Sequence, residues 1–178
     1  MRTLKKIILV LLAIPIILLL IALMVQKDYA VERSIEINRP KQAVFDYVKY
    51  LKNQDNFSKW ANMDPDMVKT YRGTDGQAGF VSAWKSDNKD VGAGEQEIIL
   101  IEPGSRIDYE LRFIEPFEST ENAYIITTAV DSTKTEVKWG FNGRMDYPMN
   151  LMLLFMDFEE MIGGDLQTGL ENLKAQLE

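Results

Sequence analysis

Six strand-like segments follow one another through the middle of the chain, and only short turn sequences separate them. Their bounds are 67–73, 79–86, 94–102, 105–114, 122–130 and 135–143. The separators are rich in Gly, Pro, Asp and Ser; in "EPGS", for example, Pro103 and Gly104 suit a type II turn. Because parallel strands need a crossover of about a dozen residues or more, connections this short predict an antiparallel meander.

Two of these segments alternate clearly between apolar and charged residues. The predicted inner positions are Ile107, Tyr109, Leu111 and Phe113 in one segment, and Val137, Trp139 and Phe141 in the other. Two further segments are phased less securely, and for these the expected inner sets are Phe80, Ser82 and Trp84, and Tyr124, Ile126, Thr128 and Val130. A sheet with one apolar face needs a cover.

The rest of the domain supplies one more strand and three helical segments. "VERSIEI" (31–37) alternates as a strand does, and "NRPKQAVFDYVKYL" then predicts a helix with Asn38 as its N-cap. A second small helix is expected around residues 57–60. The cover for the sheet is predicted to be a long helix over 149–177, which ends in a stripe of leucines.

Two adjacent glycines, Gly163 and Gly164, interrupt that long helix, although a glycine inside a helix costs roughly 1 kcal/mol relative to alanine. We expect a kink or a close backbone approach at this point. The alternative is a break between two helices, with Asp165 capping the second.

The first residues differ from all the others. From Ile7 to Val25 the chain carries no charge, and about 19 apolar residues match the thickness of a bilayer core. We therefore predict a transmembrane anchor over residues 1–27, followed by a single domain over 28–178. A cleaved signal peptide is the alternative. Arg2, Lys5 and Lys6 before the run place the N-terminus in the cytoplasm and the domain outside it.

Composition excludes several classes of function. The chain has no cysteine and no histidine, which removes disulfides, thiolate catalysis, Ser-His dyads and the usual zinc ligands. Residues 28–178 hold 16 basic and all 27 acidic side chains, a formal net charge of −11. Such a domain is repelled by nucleic acid, so we expect no nucleic-acid partner. With the usual zinc ligands absent, we also expect no metal and no cofactor.

The order of elements and several short stretches resemble the START-like (SRPBCC) superfamily, in its polyketide cyclase/dehydratase branch. The matching stretches span residues 31–175: "VERSIEINRPKQAVFDYV", "FSKW", "GFVSAWKS" leading into "VGAGEQEI", "IEPGSRIDYELRFIEPF", "TEVKWGFNG" and "MIGGDLQTGLENLK". The resemblance implies an α+β helix-grip fold, in which a curved antiparallel sheet of six or seven strands wraps a long C-terminal helix around a cavity. Members bind lipids, sterols, polyketides or plant hormones, and some are enzymes.

Aromatic and hydroxyl side chains on the inner face predict a site for an apolar ligand with a few orienting hydrogen bonds. The candidate ligand-binding residues are Tyr71, Ser82, Trp84, Tyr109, Phe113, Tyr124, Trp139, Phe155 and Met156. The alternative is that these residues only fill the core. The methionine-rich run "LMLLFM" could also adapt to lipid, but we place it at the grip and the cavity mouth.

Three functions remain open. The first is a membrane-tethered domain that binds a small hydrophobic molecule, lipid or isoprenoid-like, without transforming it. The second is a cyclase/dehydratase- or hydrolase-like enzyme, for which Glu95 and Glu97 are weak catalytic candidates if one of them is buried. The third is an envelope module that contacts an unknown protein partner and has no functional cavity.

Overall fold

The computed structural model describes residues 2–178, without the side chains of residues 2–5, 7, 8 and 10. Helix α1 spans Arg2–Ala22. Some side chains of the predicted span Ile7–Val25, and those of Arg2 and Lys5 before it, are therefore not described. Within the part that is described, no helix combines the length and the apolar character that crossing a membrane requires.

Seven strands form one antiparallel sheet in the order β1-β7-β6-β5-β4-β3-β2. Their bounds are β1 Asp28–Ile37, β2 Val68–Arg72, β3 Val81–Lys85, β4 Ala93–Glu102, β5 Arg106–Glu115, β6 Ser119–Ala129 and β7 Thr135–Arg144. The six segments of the predicted meander are β2 to β7, each paired with its neighbour in sequence. Strand β1 then pairs with β7 and extends the sheet by one strand.

The pairing register defines two ends of the sheet. At the end where α1 enters the sheet, Asp28 faces Arg144 and Phe113 faces Ser119, so the β5–β6 loop lies there too. We call this the proximal end. At the distal end Ile37 faces Thr135, and the β6–β7 turn lies there.

Helices cover one face of the sheet. Helix α3, Phe158–Leu177, buries Leu166, Leu170 and Leu173 against it, as the leucine stripe predicts. Helix α2, Lys41–Val48, buries Val44, Phe45 and Val48 in the same core. Short 3₁₀ segments at Leu51–Asn56, Trp60–Asn62 and Met149–Leu154 complete the set of helical elements.

Three local predictions about the helices were wrong. The last α-helix begins at Phe158 and not at Met149, because the Asp157 side chain accepts a hydrogen bond from the Glu160 amide at 2.9 Å and caps it there. Asn38 does not cap α2; its backbone amide donates instead to the Glu178 carboxylate. The small helix expected around residues 57–60 is two 3₁₀ segments on either side of Phe57.

The two glycines of α3 have different environments. The helix is continuous through both, which rules out the alternative of a break between two helices. A Cβ built on Gly163 would lie 2.1 Å from the Arg33 guanidinium, which is held there by the carboxylate and the carbonyl of Glu159. Gly164 has nothing within 4 Å of its Cβ position. At Gly163, therefore, α3 and β1 approach each other closely. The absence of a side chain there lets the helix lie against this strand.

The inner face of β6 is shifted by one residue from the prediction. Ala123, Ile125 and Thr127 are buried, whereas Tyr124 lies on the outer face, where its hydroxyl donates to the Glu32 carboxylate at 2.7 Å. The Arg106 guanidinium covers its ring. Burial, followed by the bond to Glu32, raises the pKa of Tyr124 to about 12. A one-residue shift exchanges the two faces of a strand, so Tyr124 does not face the helices.

The outer face of β4 and β5 carries an ion-pair cluster. Arg72 makes a two-pronged contact with the Glu95 carboxylate at 2.8 and 3.1 Å, and Arg112 bridges Glu95, Glu97 and Glu110. These contacts, led by the hydrogen bonds from Arg72, lower the pKa of Glu95 to about 2. Glu95 and Glu97 therefore act as partners of arginine on the sheet surface.

Alanine substitutions at the two glycines should have opposite effects on stability. Gly164→Ala should raise the free energy of unfolding by about 1 kcal/mol, because alanine is the better helix former and the site is open. Gly163→Ala should lower it by about 1 kcal/mol, because the methyl group displaces the guanidinium from Glu159. Urea denaturation of the full chain measures both, and Arg33→Ala should reverse the loss; equal gains from the two alanines would contradict the close approach.

Glu95→Gln should lower the free energy of unfolding by about 1 kcal/mol at pH 7. Because the folded state lowers the pKa of Glu95, its stabilisation is present above pH 4.5 and is lost as the pH falls toward 2. Denaturation curves should therefore separate the variant from the parent at neutral pH and merge near pH 2. Glu118→Gln, at an exposed carboxylate on the β5–β6 loop, is the control. A difference that persists at pH 2 would contradict this assignment.

Candidate functional site

A cavity of about 460 Å³ lies between the inner face of the sheet and the helical cover. Strands β2 to β7 contribute to its wall, the segment 51–67 closes one side, and Ile162 and Leu166 of α3 close another. The β5–β6 loop contributes Pro116 and Phe117, and Phe117 is 82% exposed. The cavity therefore reaches solvent beside Phe117, at the proximal end of the sheet.

Aromatic rings from several elements line the wall. Trp60, Trp84 and Trp139, which are all the tryptophans of the chain, line the cavity together with Phe113 and Phe141. Edge-to-face contacts orient them, with ring centroids 6.0 Å apart for Trp84 and Phe113 and 6.1 Å apart for Trp60 and Trp139. Such a wall offers apolar contact on several sides.

The backbone makes room for one of these rings. A Cβ built on Gly94 of β4 would lie 2.5 Å from the Trp84 ring and 2.7 Å from the Arg112 carbonyl oxygen. Trp84 also donates from its indole nitrogen to the Val91 carbonyl at 3.4 Å. Gly94 thus permits the indole to lie flat against the neighbouring strand, on the wall of the cavity.

Polar groups gather on one side of the cavity. Lys69 donates to the Asp55 carboxylate at 2.7 Å and to the Ala61 carbonyl at 3.3 Å, and Ser58, Ser82 and Gln96 line the wall nearby. The Gln54 side chain, 6% exposed, also reaches the wall, beside the buried Tyr109 hydroxyl. Lysine, serine and glutamine side chains donate hydrogen bonds, so this side of the cavity can bind a hydrogen-bond acceptor of a ligand.

The predicted site residues fall into five groups. Ser82, Trp84, Phe113 and Trp139 line the cavity. Tyr109 is completely buried in the core beside Gln54; its hydroxyl has no hydrogen-bond partner among the described residues, and burial raises its pKa. Tyr71 stacks on Phe80 and donates to the Asp55 carboxylate at 3.2 Å, just outside the lining, and Tyr124 lies on the outer face. Whether the lining residues contact a ligand stays a prediction.

Phe155 and Met156, the last two predicted residues, lie elsewhere. They line a separate open groove of about 430 Å³ between the start of β1 and the segment 153–159. The sequence suggested the cavity mouth for them because their run leads into α3. Asp157 ends that run before the helix begins, so both side chains lie outside the grip.

The carboxylates proposed for acid-base catalysis do not face the cavity. Glu95 and Glu97 are on the outer face, in the arginine cluster, while Gln96 between them lines the cavity. The alternation of β4 from Glu95 to Ile98 decides this: Glu95 and Glu97 point away from the helices, whereas Gln96 and the buried Ile98 face them. The enzyme hypothesis therefore loses the two carboxylates on which it depended.

Sequence reasoning missed a buried acid, Glu121. It lies on the inner face of β6, 7% exposed, and accepts a hydrogen bond from the Arg144 amide at 2.9 Å. Burial raises its pKa, and its charge adds to burial in raising the pKa of Tyr29 to about 12. The wrong phase assigned to β6 concealed it. Glu121 is not in the wall of the cavity.

No metal site is evident among the described residues, which include no group of three or more potential acidic, His or Cys ligands in reach of one ion. Asp55, Lys69, Asp90 and Glu115 are the ionisable residues in the wall of the cavity. The pairing of Asp55 with Lys69 leaves that side of the cavity close to neutral.

Comparison with solved structures places the fold. Norcoclaurine synthase from Thalictrum flavum is similar, with a TM-score of 0.65 and 8% identity over 85% of this chain and 95% of that one. Ara h 8.0201 has a TM-score of 0.56 and 11% identity over 84% and 97%. A protein from Thermobifida fusca has a TM-score of 0.56 and 19% identity over 83% and 92%. At these identities the likeness shows the fold alone, and it is the expected helix-grip fold.

Comparison with curated proteins found no match. A family model does match, over residues 29–178, which is the whole domain after α1. Its description is "Polyketide cyclase / dehydrase and lipid transport". The sheet, the C-terminal helix and the apolar cavity agree with that family, whose fold suggests a hydrophobic ligand-binding domain. The chain belongs to the polyketide cyclase/dehydrase and lipid transport family, within the START-like superfamily.

Proposed function

We propose that this protein binds a small, mainly apolar molecule, lipid or isoprenoid-like, in the cavity and does not transform it. The observation that carries the proposal is the cavity itself: about 460 Å³, three tryptophans in its wall, and a polar patch on one side. This volume lies within the range of pockets that hold small ligands, roughly 300–1,000 Å³. A molecule with an apolar body and one hydrogen-bond acceptor fits that lining.

Binding without chemistry is supported by the ionisable groups in the wall. A general acid or base needs a free proton site within reach of the ligand and a pKa close to the working pH. Asp55 is held by Lys69 and Tyr71, and Asp90 and Glu115 are exposed to solvent. Glu95 and Glu97 face away from the cavity. Glu121, the buried acid with a raised pKa, does not line the cavity.

A membrane tether is the second part of the proposal. It is supported by the uncharged sequence from Ile7 to Val25 and by apolar side chains that α1 leaves exposed, including Leu9, Leu12 and Leu20. The basic residues before this run support a cytoplasmic N-terminus and a domain outside the cytoplasm. A tethered cavity lies beside a reservoir of apolar ligands, which gives the tether a role in the same function.

Filling the cavity should abolish ligand uptake. Ser82→Phe places a ring in the wall, and Thr70→Phe places the same ring at an exposed position on the neighbouring strand β2. Because all three tryptophans line the cavity, energy transfer from tryptophan to bound cis-parinaric acid measures uptake in the full chain. We expect Ser82→Phe to weaken binding at least tenfold and Thr70→Phe to leave it within twofold of the parent.

Denaturation curves for both variants establish that they are folded before uptake is compared. Equal energy transfer in the parent and in a folded Ser82→Phe variant would mean that the probe does not enter the cavity, and the proposed function would then be wrong. No energy transfer in the parent, with cis-parinaric acid in excess, would have the same consequence.

A further inference from the structure

The proximal end of the sheet carries several large apolar side chains that face solvent. Phe117 on the β5–β6 loop is 82% exposed and Phe155 is 76% exposed; Ile114, Met149 and Leu154 are each at least half exposed. We call these five residues the apolar rim. Exposed clusters of this kind mark surfaces that contact another apolar phase.

The rim lies at the end of the domain where α1 meets the sheet. Strand β1 begins there, and β7 and β6 separate it from the β5–β6 loop, at about 4.8 Å per strand. Met149, Leu154 and Phe155 lie in the segment that connects β7 to α3, at the same end.

Asn150 ties this connecting segment to α1. Its side chain is completely buried, and its amide nitrogen donates to the Ala22 carbonyl at 2.7 Å and to the Val25 carbonyl at 2.9 Å. The Ala22 carbonyl is at the C-terminal end of α1, where carbonyls have no partner inside the helix, and Val25 lies in the short link to β1. The Met145 amide adds a bond to the Lys27 carbonyl at 2.8 Å. The connecting segment, and with it three of the five rim residues, is therefore held against the end of α1.

The cavity opens at this same end. Phe117 belongs both to the rim and to the wall of the cavity, and Pro116 and Glu115 beside it also line the cavity. A surface that rests on the rim would thus lie across the mouth.

From these observations we propose that the apolar rim docks on the bilayer that α1 enters, so that the mouth of the cavity faces the lipid and not bulk water. This inference rests on the tether and on the cavity proposed above. The bilayer is the proposed surface because the proposed tether, α1, would enter it directly beside the rim. A separate protein partner would have to approach beside the anchor. Acidic residues at this end, among them Asp28, Glu115 and Glu118, indicate that apolar insertion and not attraction to anionic headgroups drives the contact.

Single cysteines test the proposal in a chain that has none of its own. Phe117→Cys and Phe155→Cys carry the environment-sensitive fluorophore NBD at the rim. Val130→Cys, in the β6–β7 turn at the distal end and 51% exposed, is the matched control. Leu12→Cys reports insertion of α1. Each full-length variant is reconstituted in phosphatidylcholine vesicles that contain lipid with a nitroxide on a shallow acyl carbon.

We expect the nitroxide lipid to quench the labels at 117 and 155 at least threefold more than the label at 130, with a blue-shifted emission and little change between 50 and 500 mM salt. If the label at position 12 is quenched while the labels at 117 and 155 are quenched no more than the control label at 130, the docking is overturned and the tether is left intact. Absence of quenching at all four positions would overturn both, and a blue shift at 117 without lipid quenching would point to a protein partner instead. Uptake of cis-parinaric acid, measured on the same samples, reports separately on the cavity.

Discussion

One helix is too narrow to cover seven strands, and most of the structure depends on this mismatch. A sheet of seven strands at about 4.8 Å spacing is roughly 30 Å wide, whereas a helix with its side chains is about 10 Å across. Helix α3 packs mainly against β1, at one edge of the sheet, so the rest of the apolar face must be covered by α2 and the segment 51–67. The space that these elements do not fill is the cavity, and the aromatic residues of β3, β5 and β7 form its wall.

The contact between α3 and β1 follows from the same constraint. Helix and strand approach so closely that Gly163 has no room for a side chain beside the Arg33 guanidinium. Gly169, two turns later, meets the Trp139 ring in the same way, with 2.7 Å between the ring and a Cβ built on the glycine. The helix is therefore held close at the edge of the sheet, and Ile162 and Leu166 face the cavity from there.

Sequence predicted the fold where residue types separate cleanly between two faces, and it failed where they do not. On β5 from Arg106 to Arg112, and along β7, every outer position is charged or polar, or a glycine, so the inner residues Tyr109 and Trp139 were placed correctly. On β6, Tyr124 and Thr127 suit either face, and the wrong phase both misplaced Tyr124 and concealed Glu121. The run from Leu151 to Met156 is apolar throughout, so composition alone could not show that Asp157 would end it and start the helix.

The cavity wall was predicted in part for the same reason. Ser82, Trp84, Phe113 and Trp139 lie on strands whose phase was right. Gln54, Lys69 and Phe117 lie on a 3₁₀ segment, an edge strand and a loop, which carry no such periodicity.

We propose that this cavity holds a small apolar molecule. Native mass spectrometry of the full chain, released from the membranes in which it was expressed, tests it most directly. We expect the mass of the chain plus one small amphiphile, and we expect this added mass to be absent from the Ser82→Phe variant. A chain that carries no added mass, even after incubation with extracted lipids, would contradict the proposal.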